Sequence, residues 1–152
     1  MNHFKALFAL LLAAAIITVS AYGAEDTAQA TPSSSIVLDT APAMNAAAAW
    51  LAHLDAGRFA ESWDESAATL REAVPKMQWE TTLAAERGAL GVAIVRKLRS
   101  ATYTRTLAGV PEGEYVVIQY DTRFENRPQS LELVTPMREK DGAWRVAGYR
   151  IR

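Results

Sequence analysis

Cysteine is absent from this chain of 152 residues. That excludes a disulfide framework, a thiolate metal site, a cysteine nucleophile and the acylated cysteine of a lipoprotein. Histidine is almost absent. There are two, and only His53 lies beyond residue 23. One histidine and no cysteine leave a transition metal without a donor set. No acidic loop has calcium-binding spacing, and there is no glycine-rich phosphate loop and no nucleophile elbow. No metal, no cofactor and no catalytic residue is therefore expected. Neither sign of charge is in excess, with 16 Lys and Arg against 17 Asp and Glu. Nothing in that balance points to nucleic acid.

The N-terminus carries the clearest signal that is present. Residues 1–5 hold one lysine, residues 6–19 are apolar apart from Thr18, and Ala21 and Gly23 are small residues suited to the −3 and −1 positions of a cleavage site. This pattern predicts a secretory signal peptide. Its apolar run of about 14 residues is too short to span a bilayer comfortably. The expected organisation is a signal peptide over residues 1–23, a flexible leader over 24–42 rich in Ala, Thr, Ser and Pro, and one α+β domain over 43–152. The mature protein is expected in the periplasm or secreted, with no membrane span after cleavage. A disulfide-free export product fits a bacterial periplasm better than a eukaryotic secreted module. The part beyond Gly23 is long enough for one domain with a real core.

Charge is unevenly divided. Residues 24–91 hold ten acidic and four basic side chains; residues 92–152 hold eleven basic and seven acidic. The hydrophobic period changes at the same point. Ala47, Trp50, Leu51 and Leu54 fall on one face of a helix that stops at Gly57. Phe59, Trp63, Ala67, Leu70 and Val74 form the stripe of a second helix, and Trp79, Leu83 and Leu90 that of a third, opened at Pro75 and closed at Gly88 and Gly91. Strands follow over 92–107, 115–124, 130–139 and 143–151, with Asp141-Gly142 as a hairpin turn and a bulge expected at Gly148. In the second strand Val116, Ile118, Tyr120 and Phe124 share one face. In the third, Leu131, Leu133 and Met137 are read as the apolar side. Three N-terminal helices packed on a curved, four-stranded antiparallel sheet bury these faces best.

Chemistry-bearing residues are few. His53 reads as a helix-edge residue. Asp55, Asp64, Asp121 and Glu132 are the carboxylates nearest apolar segments, each read as solvated or ion-paired at the surface. Trp50, Trp63, Trp79 and Trp144 read as core, with Trp63 and Trp144 on opposing faces and deeply buried. The alternative is a pocket for an apolar ligand lined by Trp50, Trp63, Trp79 and Tyr120. The strand arginines shield an exposed sheet face; the sharper reading makes Arg96, Arg99, Arg123 and Arg145 a docking face for an anionic partner.

The segment Trp50-Leu51 through Asp55-Ala56-Gly57-Arg58-Phe59 and Ser62-Trp63 resembles the helical opening of nuclear-transport-factor-2-like (SnoaL-like, cystatin-like) domains. Residues 141–149 resemble their closing strand. Trp79, Arg87 with Leu90-Gly91, Arg96, the run Pro111-Glu112-Gly113-Glu114-Tyr115-Val116-Val117, and Trp144-Arg145-Val146-Ala147-Gly148-Tyr149 together resemble a bacterial family known as domain of unknown function 4019. The superfamily resemblance implies a cone of sheet around helices. It implies no activity, because that superfamily holds isomerases, hydrolases, cyclases and non-catalytic modules alike. The leading expectation is a periplasmic non-catalytic binding or interaction module for a protein or a small anionic or apolar ligand. The alternatives are a small-molecule proton-transfer enzyme using carboxylates in the cone and a structural, dimeric envelope subunit.

Overall fold

A computed structural model describes residues 39–152; the expected signal peptide and most of the leader lie outside the described residues. The chain forms α1 (Ala41–Asp55), α2 (Phe59–Asp64), α3 (Ala68–Ala73), α4 (Lys76–Leu90), β1 (Ala93–Thr104), β2 (Tyr115–Phe124), β3 (Ser130–Arg138) and β4 (Trp144–Ile151). The strands make one antiparallel meander in the order β1-β2-β3-β4. The fold is α+β, helices first and sheet second.

α1 opens two residues before the expected domain boundary, with Pro42 in its first turn, where a missing N–H costs nothing. Its buried stripe of Ala43, Ala47, Trp50, Leu51 and Leu54 lies across β2, β3 and β4. α2 packs on α4 and α1, and α3 packs on β4. Among the described residues no helix packs extensively on β1. The core joins the α1 stripe, Leu70, Trp79 and Leu83 to Val116, Ile118, Tyr120, Val134 and Val146.

The described residues form four helices, not three. The expected second helix is broken at Glu65–Ala67 because its polar groups have distant partners. The Trp50 indole N–H donates to the Ser62 carbonyl at 2.7 Å, and the Trp79 indole N–H to Ser62 Oγ at 3.0 Å. Ala67 turns extended, and its N–H donates to the Val146 carbonyl of β4 at 2.9 Å. A backbone donor given to the sheet is lost to the helix. Trp63 and Trp144 are only partly buried, at the rim of the core; the deep tryptophans are Trp50 and Trp79.

α4 ends at Gly91, whose φ of +74° belongs to the left-handed region. A Cβ there would lie 2.9 Å from the Glu125 Cβ. Gly142 closes the β3–β4 hairpin as expected, and its N–H donates to the Glu139 carbonyl at 2.9 Å. The bulge in β4 falls one residue early. Thr135 pairs with Gly148 and Pro136 with Val146, so Ala147 is the extra residue.

β3 presents the opposite face from the one expected. Tyr120 pairs with Glu132, and Ile118 with Val134. Ser130, Glu132, Val134 and Pro136 therefore point toward the helices and are buried. Leu131, Leu133 and Met137 are half-buried on the outer face. Both phases of the strand carry apolar residues, so alternation alone does not choose between them.

Candidate functional site

Asp55 is the last residue of α1, Arg87 lies in the last turn of α4, Arg96 is on β1, Thr122 on β2, Glu132 on β3 and Tyr149 on β4. All six meet where the helical layer closes on the sheet. Arg87 is well placed by its helix, since a cation in the last turn complements the macrodipole. Its guanidinium also lies 4.9 Å from the Phe124 ring centroid, in cation–π contact.

Glu132 is the centre and has no solvent exposure. Its Oε1 accepts from Tyr149 Oη at 2.7 Å and from Arg87 Nη1 and Arg96 Nη2 at 3.3 Å each. Its Oε2 accepts from Arg96 Nε and Thr122 Oγ1, both at 2.6 Å. Asp55 completes the ring. Its Oδ1 accepts from Arg87 Nη2 at 2.6 Å and Arg96 Nη2 at 3.0 Å, and its Oδ2 from Arg96 Nη1 at 2.8 Å. Two guanidiniums and two carboxylates make the cluster neutral.

Partial burial by itself raises the Asp55 carboxyl, but the hydrogen bonds and charges of Arg96 and then Arg87 outweigh it and hold it below the usual carboxylate range. Desolvation works against the Arg96 cation, and hydrogen bonds to Asp55 and Glu132 more than offset that and raise its pKa. Burial, then the Glu132 charge, pushes the Tyr149 phenol far above its ordinary value. The phenol therefore stays a donor to Glu132.

Five donors saturate a carboxylate that offers about four lone-pair sites. A general base needs a lone pair facing its substrate, and Glu132 has none to spare. Asp55, at 35% side-chain exposure, is the part of the cluster most open to solvent.

Two open grooves lie elsewhere. One of about 640 Å³ runs over the outer sheet face, lined by Val95, Lys97, Arg99, Asp121, Arg123, Pro128, Leu131 and Arg152 among others. Four cations face one carboxylate there, and the Arg99–Asp121 pair at 3.0 Å is about half exposed on both sides. The second, of about 670 Å³, lies beside the β3–β4 hairpin. Asp64, Glu65, Glu139 and Asp141 outnumber Arg71 and Arg145 in it.

The four arginines expected on one docking face are dispersed. Arg99 and Arg123 share the outer groove. Arg96 turns inward into the ion cluster, because its partner Thr122 is on the inner face. Arg145 is in the hairpin groove, paired with Glu139 and with Asp141 at 2.8 Å. Of the expected pocket residues, Trp50, Trp79 and Tyr120 are core, and Trp63 packs on the core with its indole N–H donated to the Val74 carbonyl at 2.8 Å. His53 lies at the helix edge between Arg58 and Glu65, as expected. Glu132, expected at the surface, is fully buried.

Arg87, Thr122 and Tyr149 were not legible as a site from residue type or spacing, although Arg87 and Arg96 stand among the residues that carry the family resemblance. Among the described residues no group of three or more His, Cys, Asp or Glu could hold a metal ion, and no helix is long and apolar enough to cross a membrane.

The class defined by this geometry is an α+β domain with helices on one face of an antiparallel meander, pinned to it by an ionic ring centred on the buried Glu132. The chain belongs to the family of proteins of unknown function DUF4019, whose family model matches residues 46–149. No curated protein and no solved structure matches it.

Proposed function

We propose that this protein is an exported, non-catalytic binding module that docks an anionic partner on the outer face of its sheet. The observation that carries this reading is the outer groove, where Lys97, Arg99, Arg123 and Arg152 surround Asp121 beside the apolar Val95, Pro128 and Leu131. Exposed cations on an apolar floor suit a partner that brings carboxylates or phosphates. The Arg99–Asp121 pair is no obstacle, because an exposed ion pair is worth about 0–1 kcal/mol and opens readily.

The saturated Glu132 supports the non-catalytic part, since the one fully buried carboxylate among the described residues is committed to five donors. Export rests on the N-terminal sequence pattern. Helices on a single sheet face, with bulges in β1 and β4, suit a cone of the nuclear-transport-factor-2-like kind.

The test is equilibrium binding of a fluorescent hexaglutamate peptide. Binding should weaken steeply as salt rises, because screening shortens from about 8 Å at physiological ionic strength to about 3 Å at 1 M. Arg123→Glu should abolish it with an unchanged circular dichroism spectrum. Binding unaffected by salt and by this reversal would remove the proposal.

A further inference from the structure

We infer that the free edge of β1 accepts an extended polypeptide strand in which apolar and acidic residues alternate. The inference rests on the anionic docking proposed above and names the partner as a peptide strand.

Among the described residues β1 is the terminal strand of the sheet, and only β2 pairs with it. Its other edge offers unpaired backbone donors and acceptors among the described residues, which is the template that strand addition uses. The register assigns its side chains to faces. Val95 and Lys97 pair with Arg123 and Asp121 and share their outer face; Arg96 and Leu98 pair with Thr122 and Tyr120 and share their inner face. Leu98 is 49% exposed although it faces the helical side, because none of the described helices packs extensively on β1.

On the inner face Arg96 is committed to Glu132 and Asp55, so an added strand would meet the apolar surface of Leu98 there; on the outer face it would meet the Lys97 cation beside Val95. Side chains of a strand alternate between faces, so the complementary sequence alternates apolar and acidic residues. Register shifts at Ala93/Val95 and Leu98/Ser100 divide β1 into two regular stretches, 95–98 and 100–104; Lys97 and Leu98 lie in the first, so the docked segment is short.

A second copy of this chain fits poorly. Arg96, Lys97 and Arg99 are three cations within four residues. Like charges set opposite one another across strands are destabilising, and edge lysines and bulges are devices that discourage homotypic pairing.

The test uses the purified protein and fluorescent peptides read by anisotropy. The first is three valine–glutamate repeats. The second has the same composition with valines and glutamates in separate blocks. Two more carry the alternating sequence with every other amide methylated, one in each phase. The alternating peptide should bind at least tenfold tighter than the block peptide. One methylated phase should lose binding at least tenfold while the other retains it, since only one set of amides faces β1. Lys97→Glu and Leu98→Asp should each weaken binding severalfold with folding unchanged.

Equal affinity for alternating, block and both methylated peptides would overturn strand addition and leave docking by charge in the groove standing. Failure of every acidic peptide to bind, hexaglutamate included, would overturn both.

Discussion

Arg96 and Glu132 stand 36 positions apart in the chain, and Arg96 Nε donates to Glu132 Oε2 at 2.6 Å. A strand that none of the described helices packs extensively on is joined by this bond to the buried side of β3, and through Asp55 to α1. Removing one partner of a buried ion pair leaves the other uncompensated, which typically costs about 3–5 kcal/mol. Glu132→Ala should lower stability by about that amount or prevent folding, measured by urea unfolding. A change under about 1 kcal/mol would mean that water can solvate the two guanidiniums.

Acid should expose the same cluster. The Asp55 carboxyl titrates below its ordinary value in the folded state, so the unfolded chain takes up its proton first as pH falls. The stability Asp55 contributes is fully present above about pH 4, the ordinary carboxylate value, and is lost as pH drops through the lower folded value. Asp141, held down chiefly by its hydrogen bond from Arg145, acts in the same direction from an exposed hairpin. Asp55→Asn should be less stable at neutral pH and should show a shallower acid limb. Parallel curves for the two proteins would contradict the role given to Asp55.

Tryptophan burial separates two sites. Trp50, 2% exposed, contacts Tyr149 edge-on at 5.3 Å and gives its indole N–H to Ser62. Trp50→Ala should cost about 3–5 kcal/mol. Trp144, at the rim, should cost clearly less. Equal losses would show that the rim is as tightly packed as the centre.

The hydroxyl of Ser130 is buried with no hydrogen-bond partner among the described residues. An unmet buried polar group costs about 1–3 kcal/mol, so Ser130→Ala should leave the unfolding midpoint unchanged or raise it. A clear drop in the midpoint would reveal a partner, such as a bound water.

Export makes a prediction independent of the fold. Protein recovered from the native host should begin near Ala24 by mass spectrometry. Recovery of a cytoplasmic form starting at Met1 would remove that part of the proposal.

Local patterns carried part of the fold. The α1 stripe, the inner face of β2 and the Asp141-Gly142 turn depend on neighbours within a few residues, and each forms where its periodicity places it. The break after α2 was hidden because it depends on Trp50 and β4, far off in the chain. Glu132 was hidden because Leu131 and Leu133 offer an equally apolar phase to β3. The inward turn of Arg96 was hidden because a cation on a strand looks like a solvent shield until its carboxylates, 36 and 41 positions away, are in place.

The ionic ring also makes the chain hard to divide. A cut in the loop between β1 and β2, within residues 105–114, would leave Asp55, Arg87 and Arg96 on one fragment and Glu132 on the other. The first piece would hold one excess positive charge at the ring and the second one excess negative charge, with nothing inside either to neutralise it. Neither half should fold alone, yet the two should recognise each other through that mismatch. The ring would then act as a built-in fragment-complementation interface, turning a single-chain domain into a heterodimer whose assembly reports directly on the ring.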